Sequence, residues 1–282
     1  MKFIKAQASG NDFIVFHIKN ENEKWNEIAQ KICDRHYGIG SDGLVILKNI
    51  DDEKKEVNFR IFNADGSEAE ISGNGLRCAA ASLYFKNLIQ GNLINFITEA
   101  GRRECYLINR ESHLFYFKVN MGNPVLSSDK IPFNDGSIYE KIIDYPITIG
   151  QKTYSITCVS VGNPHCSIFF DKLPSSIEWH QLGKALESHP FFPNRVNVEL
   201  VRIINREEME ALFWERGVGE TLSSGSGSCA SALAAMIKDL VNKKVKVKSK
   251  AGEMVVEWEE NGAFLSGPSE IICEGTWVKP LQ

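Results

Sequence analysis

Two short segments carry the residues most able to do chemistry, Ser72-Gly73-Asn74-Gly75 and Ser224-Gly225-Ser226-Gly227, each directly before an Ala-rich run. A Ser-Gly-x-Gly turn at the start of a helix presents unpaired backbone N–H groups and the positive end of the helix dipole, which together suit an anion such as a carboxylate. A single copy reads more simply as a serine N-cap followed by flexible glycines. Two copies in a fixed register favour a ligand held from both sides.

The register is an offset of 152 residues, from Ser72 to Ser224. Gly10-Asn11 recurs at the same offset as Gly162-Asn163, Phe62-Asn63 falls against Trp214-Glu215, Glu68 against Glu220, and Leu44 against Val196. Constancy over several separated segments marks an internal duplication. Corresponding loops of two related halves are expected to face a shared cleft, so the candidate ligand-facing residues are Asn11, Asn63, Asn163, His165, Asn197, Glu215 and Arg216. Each of these alone would be an ordinary turn or surface residue.

The elements that must position these groups are strands and a few helices. Val57 to Phe62, Phe115 to Val119 and Val245 to Lys248 alternate apolar and polar side chains with a period of two, as half-buried strands do. Trp25, Ile28, Ala29, Ile32 and Cys33 have helical spacing, with Gly38 as a stop. Cys78 to Leu88 and Cys229 to Val241 are small and apolar nearly all round, as expected of buried helices wrapped by sheet. The fold class is therefore α/β (α+β) with two similar halves. The N-terminal half is expected over 1–119 plus 272–282, because the last strand, about Ile272 to Lys279, has no place in a second copy, and the C-terminal half over 120–271.

Composition narrows the function classes. The chain has 282 residues and a net charge of −4, with 43% hydrophobic and 24% charged residues, an ordinary globular balance. It has no clustered basic stretch, so nucleic acid and anionic membrane surfaces are not expected as partners. Nothing near Met1-Lys2-Phe3-Ile4-Lys5-Ala6 resembles a secretory signal, and no apolar run reaches the roughly 18 residues of a membrane span, so a cytoplasmic location is expected. Seven cysteines without a C-x-x-C pair and six histidines without H-x-x-x-H spacing point to free buried thiols and no metal site. Gly38-Ile39-Gly40-Ser41-Asp42-Gly43 matches the dinucleotide pattern G-x-G-x-x-G, but it follows a helix and precedes a strand, the reverse of the order that motif requires.

Several motifs in combination resemble the diaminopimelate epimerase family: Gly10-Asn11-Asp12-Phe13, Asp34 to Gly40, Phe62 to Glu68, Gly73 to Cys78, Gly162-Asn163-Pro164-His165-Cys166 and Glu215 to Thr221. The resemblance implies a racemase fold with two pseudo-symmetric halves, each a mixed curled sheet or barrel around a central buried helix, with the active site in the cleft between them. It implies no cofactor, since these enzymes work without pyridoxal phosphate, a small amino-acid substrate, and a homodimer. The expected reaction converts LL-diaminopimelate to the meso form, in the pathway to lysine and peptidoglycan precursors, by removing the α-proton from one face and returning one to the other. By resemblance Asn11, Asn63, Asn163, Asn197, Glu215 and Arg216 hold the substrate, and Gly73-Asn74 and Gly225-Ser226 supply backbone donors. His165 and Glu215 partner the two acid/base residues. Fixed donors around the α-carboxylate favour the carbanion-like transition state.

The chain departs from the family pattern where it matters most, because Ser72 and Ser224 stand where the family carries its acid/base cysteines. Cys78 and Cys229 lie further on, inside the predicted helices, and do not replace them. A thiol with a pKa of about 8.5, lowered at a helix N-terminus, ionises near neutrality. A hydroxyl titrating near water's value of about 15.7 does so some 7 units higher, on the order of 10 kcal/mol at proton abstraction. Smaller departures are Ala6 to Ser9 before Gly10-Asn11, and Gly43 where many members carry a polar side chain. Three readings follow: a diaminopimelate epimerase impaired by exchange of both thiols, a divergent isomerase of a more acidic substrate with His165 or Glu215 as base, and a non-catalytic carboxylate-binding protein.

Overall fold

The computed structural model describes residues 1–19 and 23–278, so Lys279, the end of the last strand expected above, and residues 280–282 lie outside the described residues. The chain forms two compact units, Met1–Asn120 with Ser266–Gln282, and Met121–Leu265. The first contains β1 (Lys2–Ala8), β2 (Asn11–His17), α1 (Trp25–Ile32), β3 (Gly43–Asp51), β4 (Glu56–Asn63), β5 (Glu68–Ala69), α2 (Gly73–Phe85), β6 (Leu93–Thr98), β7 (Gly101–Glu111) and β8 (Leu114–Gly122). The second contains β9 (Tyr145–Ile149), β10 (Lys152–Ser160), β11 (Pro164–Phe169), α3 (Ser176–Glu187), β12 (Asn197–Asn205), β13 (Glu208–Glu215), β14 (Gly219–Thr221), α4 (Gly225–Ile237), β15 (Lys244–Ser249) and β16 (Gly252–Glu259). One long strand, β17 (Gly262–Thr276), begins in the second unit and continues into the first, and the last two residues of β8, Met121 and Gly122, belong to the second.

In the first unit the pairing β1–β2–β3–β4–β6–β7–β8–β17 returns to β1, closing a barrel of eight strands. Closure leaves no unpaired sheet edge. Helix α2 is buried from Gly73 to Tyr84 and packs on β1, β2, β3 and β7, so it fills the barrel. Its small residues, Ala79, Ala80 and Ala81, let the surrounding strands approach the helix axis. Helix α1 lies outside the barrel wall, burying Trp25, Ile28, Ala29 and Ile32 against Ile14, Leu44, Ile46 and Phe62.

The second unit repeats this order strand for strand. β10–β11 is antiparallel like β1–β2, β11–β12 parallel like β2–β3, β12–β13 antiparallel like β3–β4, β13–β15 parallel like β4–β6, and β15–β16 antiparallel like β6–β7. Helix α4 corresponds to α2 and packs on β10, β11, β12, β13, β15 and β16. Helix α3 corresponds to α1 and carries a capping box between Ser175 and Glu178.

Three expectations need correction. The central helices begin earlier than Cys78 and Cys229, because both Gly-rich segments are themselves the first helical turn. Helix α1 ends at Ile32, well before Gly38. The counterpart of Leu44 is Val198 rather than Val196, since Leu44 pairs with Phe62 as Val198 pairs with Trp214. Longer α3 pushes β12 two residues out of the 152 register, and a hairpin of Arg206-Glu207 in place of Asp52 to Lys55 restores it. Among the described residues no helix is long and apolar enough to cross a membrane.

Candidate active site

In the first unit Ser72 caps α2 in an extended conformation, φ −144° and ψ 122°, and its Oγ accepts the Gly75 N–H at 3.1 Å. Asn74, on the first turn, is buried and donates from Nδ2 to Asn11 Oδ1 at 3.2 Å. Its own Oδ1 accepts from Arg77 Nη2 at 2.7 Å, and the wholly buried Arg77 guanidinium also donates to Pro268 O at 3.2 Å. Asn11 donates in turn to Asp42 Oδ2 at 2.7 Å, and Asp42 is held by Arg35. The Asn11 and Asn74 amides are thus fixed at the helix start by a charged network. Asn63 is exposed and its amide donates to Ser67 Oγ at 2.9 Å within its own turn.

In the second unit Ser224 caps α4 with φ −136° and ψ 125°, and its Oγ accepts the Gly227 N–H at 3.1 Å. Asn163 Nδ2 donates to Ser226 Oγ at 3.4 Å, the counterpart of the Asn74–Asn11 contact with donor and acceptor exchanged between the elements. Glu215, at the end of β13, accepts from Thr221 Oγ1 at 3.0 Å. Burial raises its carboxyl pKa against the pull of the Thr221 and Ser224 hydroxyls and of His165. Asn197 donates to Pro164 O at 2.8 Å and accepts the Arg216 N–H at 2.9 Å, so it pins the turn after Glu215. Arg216 itself is exposed, with Nη1 donating to Asn194 O at 3.2 Å.

His165 is 1% exposed, with Nδ1 at 2.5 Å from Glu199 Oε1 and Nε2 at 2.9 Å from Asn163 Oδ1. Glu199 was missed in the sequence. Its signal was a lone acid within the apolar run Val198 to Val201, on a strand otherwise buried. Glu187 was missed as well, although its carboxylate accepts both Trp214 Nε1 and the Gly217 N–H at 2.7 Å, bracketing Glu215 and Arg216. Gly43 holds the register position of Asn197, where a Cβ would lie 2.8 Å from Phe62 O, so the first unit has no room for a side chain there.

Six of the seven cysteines are buried, and burial pushes the Cys78 and Cys229 thiols up to about 12. Among the described residues no group of three or more His, Cys, Asp or Glu side chains is placed to hold a metal ion. Each unit therefore offers a capped helix N-terminus, suited to a carboxylate, with flanking amides that can orient it. Only the second adds a carboxylate, Glu215, bonded to Thr221, and a buried imidazole, His165.

Comparison with known proteins places the chain in a family. The family model described as diaminopimelate epimerase matches residues 3–127 and 157–272. A diaminopimelate epimerase of Pelotomaculum thermopropionicum is 38% identical over 98% of this chain and 99% of its own, and one of Methanococcus maripaludis is 37% identical over 98% and 99%. Among solved structures, a probable proline racemase of Agrobacterium radiobacter with bound carbonate superposes with a TM-score of 0.73 at 13% identity, covering 98% of this chain and 92% of that one. A hydroxyproline epimerase of Agrobacterium vitis with bound trans-4-hydroxy-L-proline gives 0.70 at 14% identity, covering 98% and 89%. The full-length likeness, the matched motifs and the duplicated α+β fold establish that the chain belongs to the diaminopimelate epimerase family of isomerases, epimerases that work without pyridoxal phosphate.

Proposed function

We propose that the substrate is diaminopimelate, bound through its α-carboxylate at the capped helix starts, and that epimerisation by this chain is strongly slowed because Ser72 and Ser224 occupy the two acid/base positions. The observation that carries the reading is the identical construction of the two caps: each serine hydroxyl accepts the N–H three residues on at 3.1 Å, where a thiol would gain the same bond and the same helix dipole. Asn11, Asn74, Asn163, Ser226 and the Asn197-pinned Arg216 turn supply the orienting contacts, with Asn63 contributing from its exposed turn. The α-carboxylate would gain fixed donors as charge develops on it, but a hydroxyl remains about 7 units too weak an acid to serve as a thiolate does. Family likeness further supports a homodimer working in the cytoplasm, which sedimentation and cell fractionation would test.

A second reading draws on one asymmetry. Glu215 stands where the first unit has Asn63, and its carboxyl pKa is raised by desolvation, so it is fit to carry a proton for a substrate with a more acidic C–H. The two readings separate by ligand-induced stabilisation. Diaminopimelate at a hundredfold excess over its Kd is expected to stabilise the fold by about 2.7 kcal/mol. Absence of any stabilisation by either stereoisomer, with stabilisation and turnover of another acid, would replace the first reading by the second.

A further inference from the structure

The duplication supplies an internal control for the buried polar cluster of the second unit. Ser167 pairs with Glu199 across β11 and β12 as Val15 pairs with Val45 across β2 and β3, and His165 holds the place of Phe13. All three first-unit residues are buried and apolar. The same barrel wall therefore packs well without ions. Glu199 is 1% exposed, and its oxygens accept from His165 Nδ1 at 2.5 Å and Ser167 Oγ at 3.2 Å. Taking a carboxylate out of water costs several kcal/mol, and apolar replacements of buried ion pairs are often neutral or stabilising. Stability alone thus gives no reason for Glu199, and its place beside the α4 start gives another: a Cβ on Gly227 would lie 3.1 Å from Glu199 Oε1.

We propose that Glu199 is a positioning residue for His165, bonded to Nδ1 so that the ring presents an Nε2–H to Asn163 at the edge of the α4 cradle. Both ring nitrogens face oxygen atoms, Glu199 Oε1 and Asn163 Oδ1, so one proton shared between Nδ1 and Glu199 and a second on Nε2 satisfy both contacts. Glu199 from β12 and Glu215 from β13 are the charged groups facing the ring, and of these Glu199 makes the direct bond. The Asn163 Oδ1 that accepts from the ring belongs to the amide that donates to Ser226, so the ring fixes that amide's orientation. The catalytic use of this edge rests on the reading under Proposed function, whereas the placement of the protons does not.

The test is nitrogen-15 spectroscopy of the full chain with labelled histidine at about pH 7, His165 being assigned from the His165→Gln variant. The unmodified chain is expected to show a proton on Nε2 of His165 and a proton shared between Nδ1 and Glu199, and Glu199→Gln to lose the shared one. Glu199→Asp, which keeps the carboxylate, is expected to retain it. A bare Nε2 in the unmodified chain would overturn the proposal, whether or not the variants fold. So would a His165 signal unchanged in folded Glu199→Gln. In the Ser72→Cys, Ser224→Cys background, Glu199→Gln is expected to lower kcat about 10–100-fold, the range seen when an outer partner of a working imidazole is removed, with KM little changed. Inactivity of that background would count against the proposed function while leaving the spectroscopic result to decide the role of Glu199.

Discussion

Ser72 and Ser224 are the same residue of the same turn: their backbone angles agree within 8° in φ and 3° in ψ, and each accepts the N–H of the third residue on at 3.1 Å. Both are N-caps, so each stabilises its helix whether or not it touches a ligand. Ser72→Ala and Ser224→Ala are each expected to lower stability by about 1 kcal/mol, in the range of about 0.5–2 for lost caps, measured by guanidinium unfolding. An unchanged midpoint in both would contradict the cap geometry.

The residues behind the two caps differ, and their substitution should differ in consequence. Asn74→Ala removes one acceptor of a wholly buried Arg77 guanidinium at 2.7 Å, and a loss of about 1.5–3 kcal/mol is expected. Ser226→Ala removes only the 3.4 Å bond from Asn163, and a loss below about 1 kcal/mol is expected. Equal losses in the two variants would sink this account of Arg77.

Burial raises the Glu215 pKa above its ordinary value of 4.5, so the folded chain binds that proton more tightly than the unfolded one. The associated stability is fully present below about 4.5 and is lost as pH rises through the folded value. Glu215→Gln is therefore expected to be more stable than the unmodified chain at neutral pH, with the difference vanishing near pH 4. Paired denaturation curves at the two pH values check the sign.

Gly227 is the tighter of the two glycines at the third position of the central helices. An added Cβ would meet Phe213 Cδ1 at 2.7 Å, Ser224 Cβ at 3.0 Å and Glu199 Oε1 at 3.1 Å, whereas at Gly75 the close atom is the flexible Ile61 Cδ1 at 2.8 Å. Gly227→Ala is expected to lose about 1–3 kcal/mol net of helix propensity, and Gly75→Ala less. Thermal melts of the two variants would show the order.

Much of this was legible in the sequence, because duplication preserves spacing where turns are under constraint. The twin Ser-Gly-x-Gly segments and the Gly-Asn turns keep their 152-residue offset because β4 and β13 have the same length and the changes before them cancel. The β12 register was hidden by a longer helix and a shorter hairpin that cancel, so Leu44 was matched two residues early. Helix starts were placed late because glycine has low helix propensity, whereas cap bonds and burial here override it. Glu199 and Arg77 escaped notice because their partners, His165 on a neighbouring strand and Pro268 far along the chain, are joined only by the fold.

The central claim is that two cap hydroxyls stand where thiolates are required. Its most direct test is exchange of the α-hydrogen of diaminopimelate into deuterated water, measured by proton NMR for the unmodified chain and for Ser72→Cys with Ser224→Cys. The account predicts exchange near background in the first and readily measurable exchange with epimerisation in the second. Equal rates in the two chains, or a folded double variant that binds diaminopimelate and exchanges nothing, would contradict it.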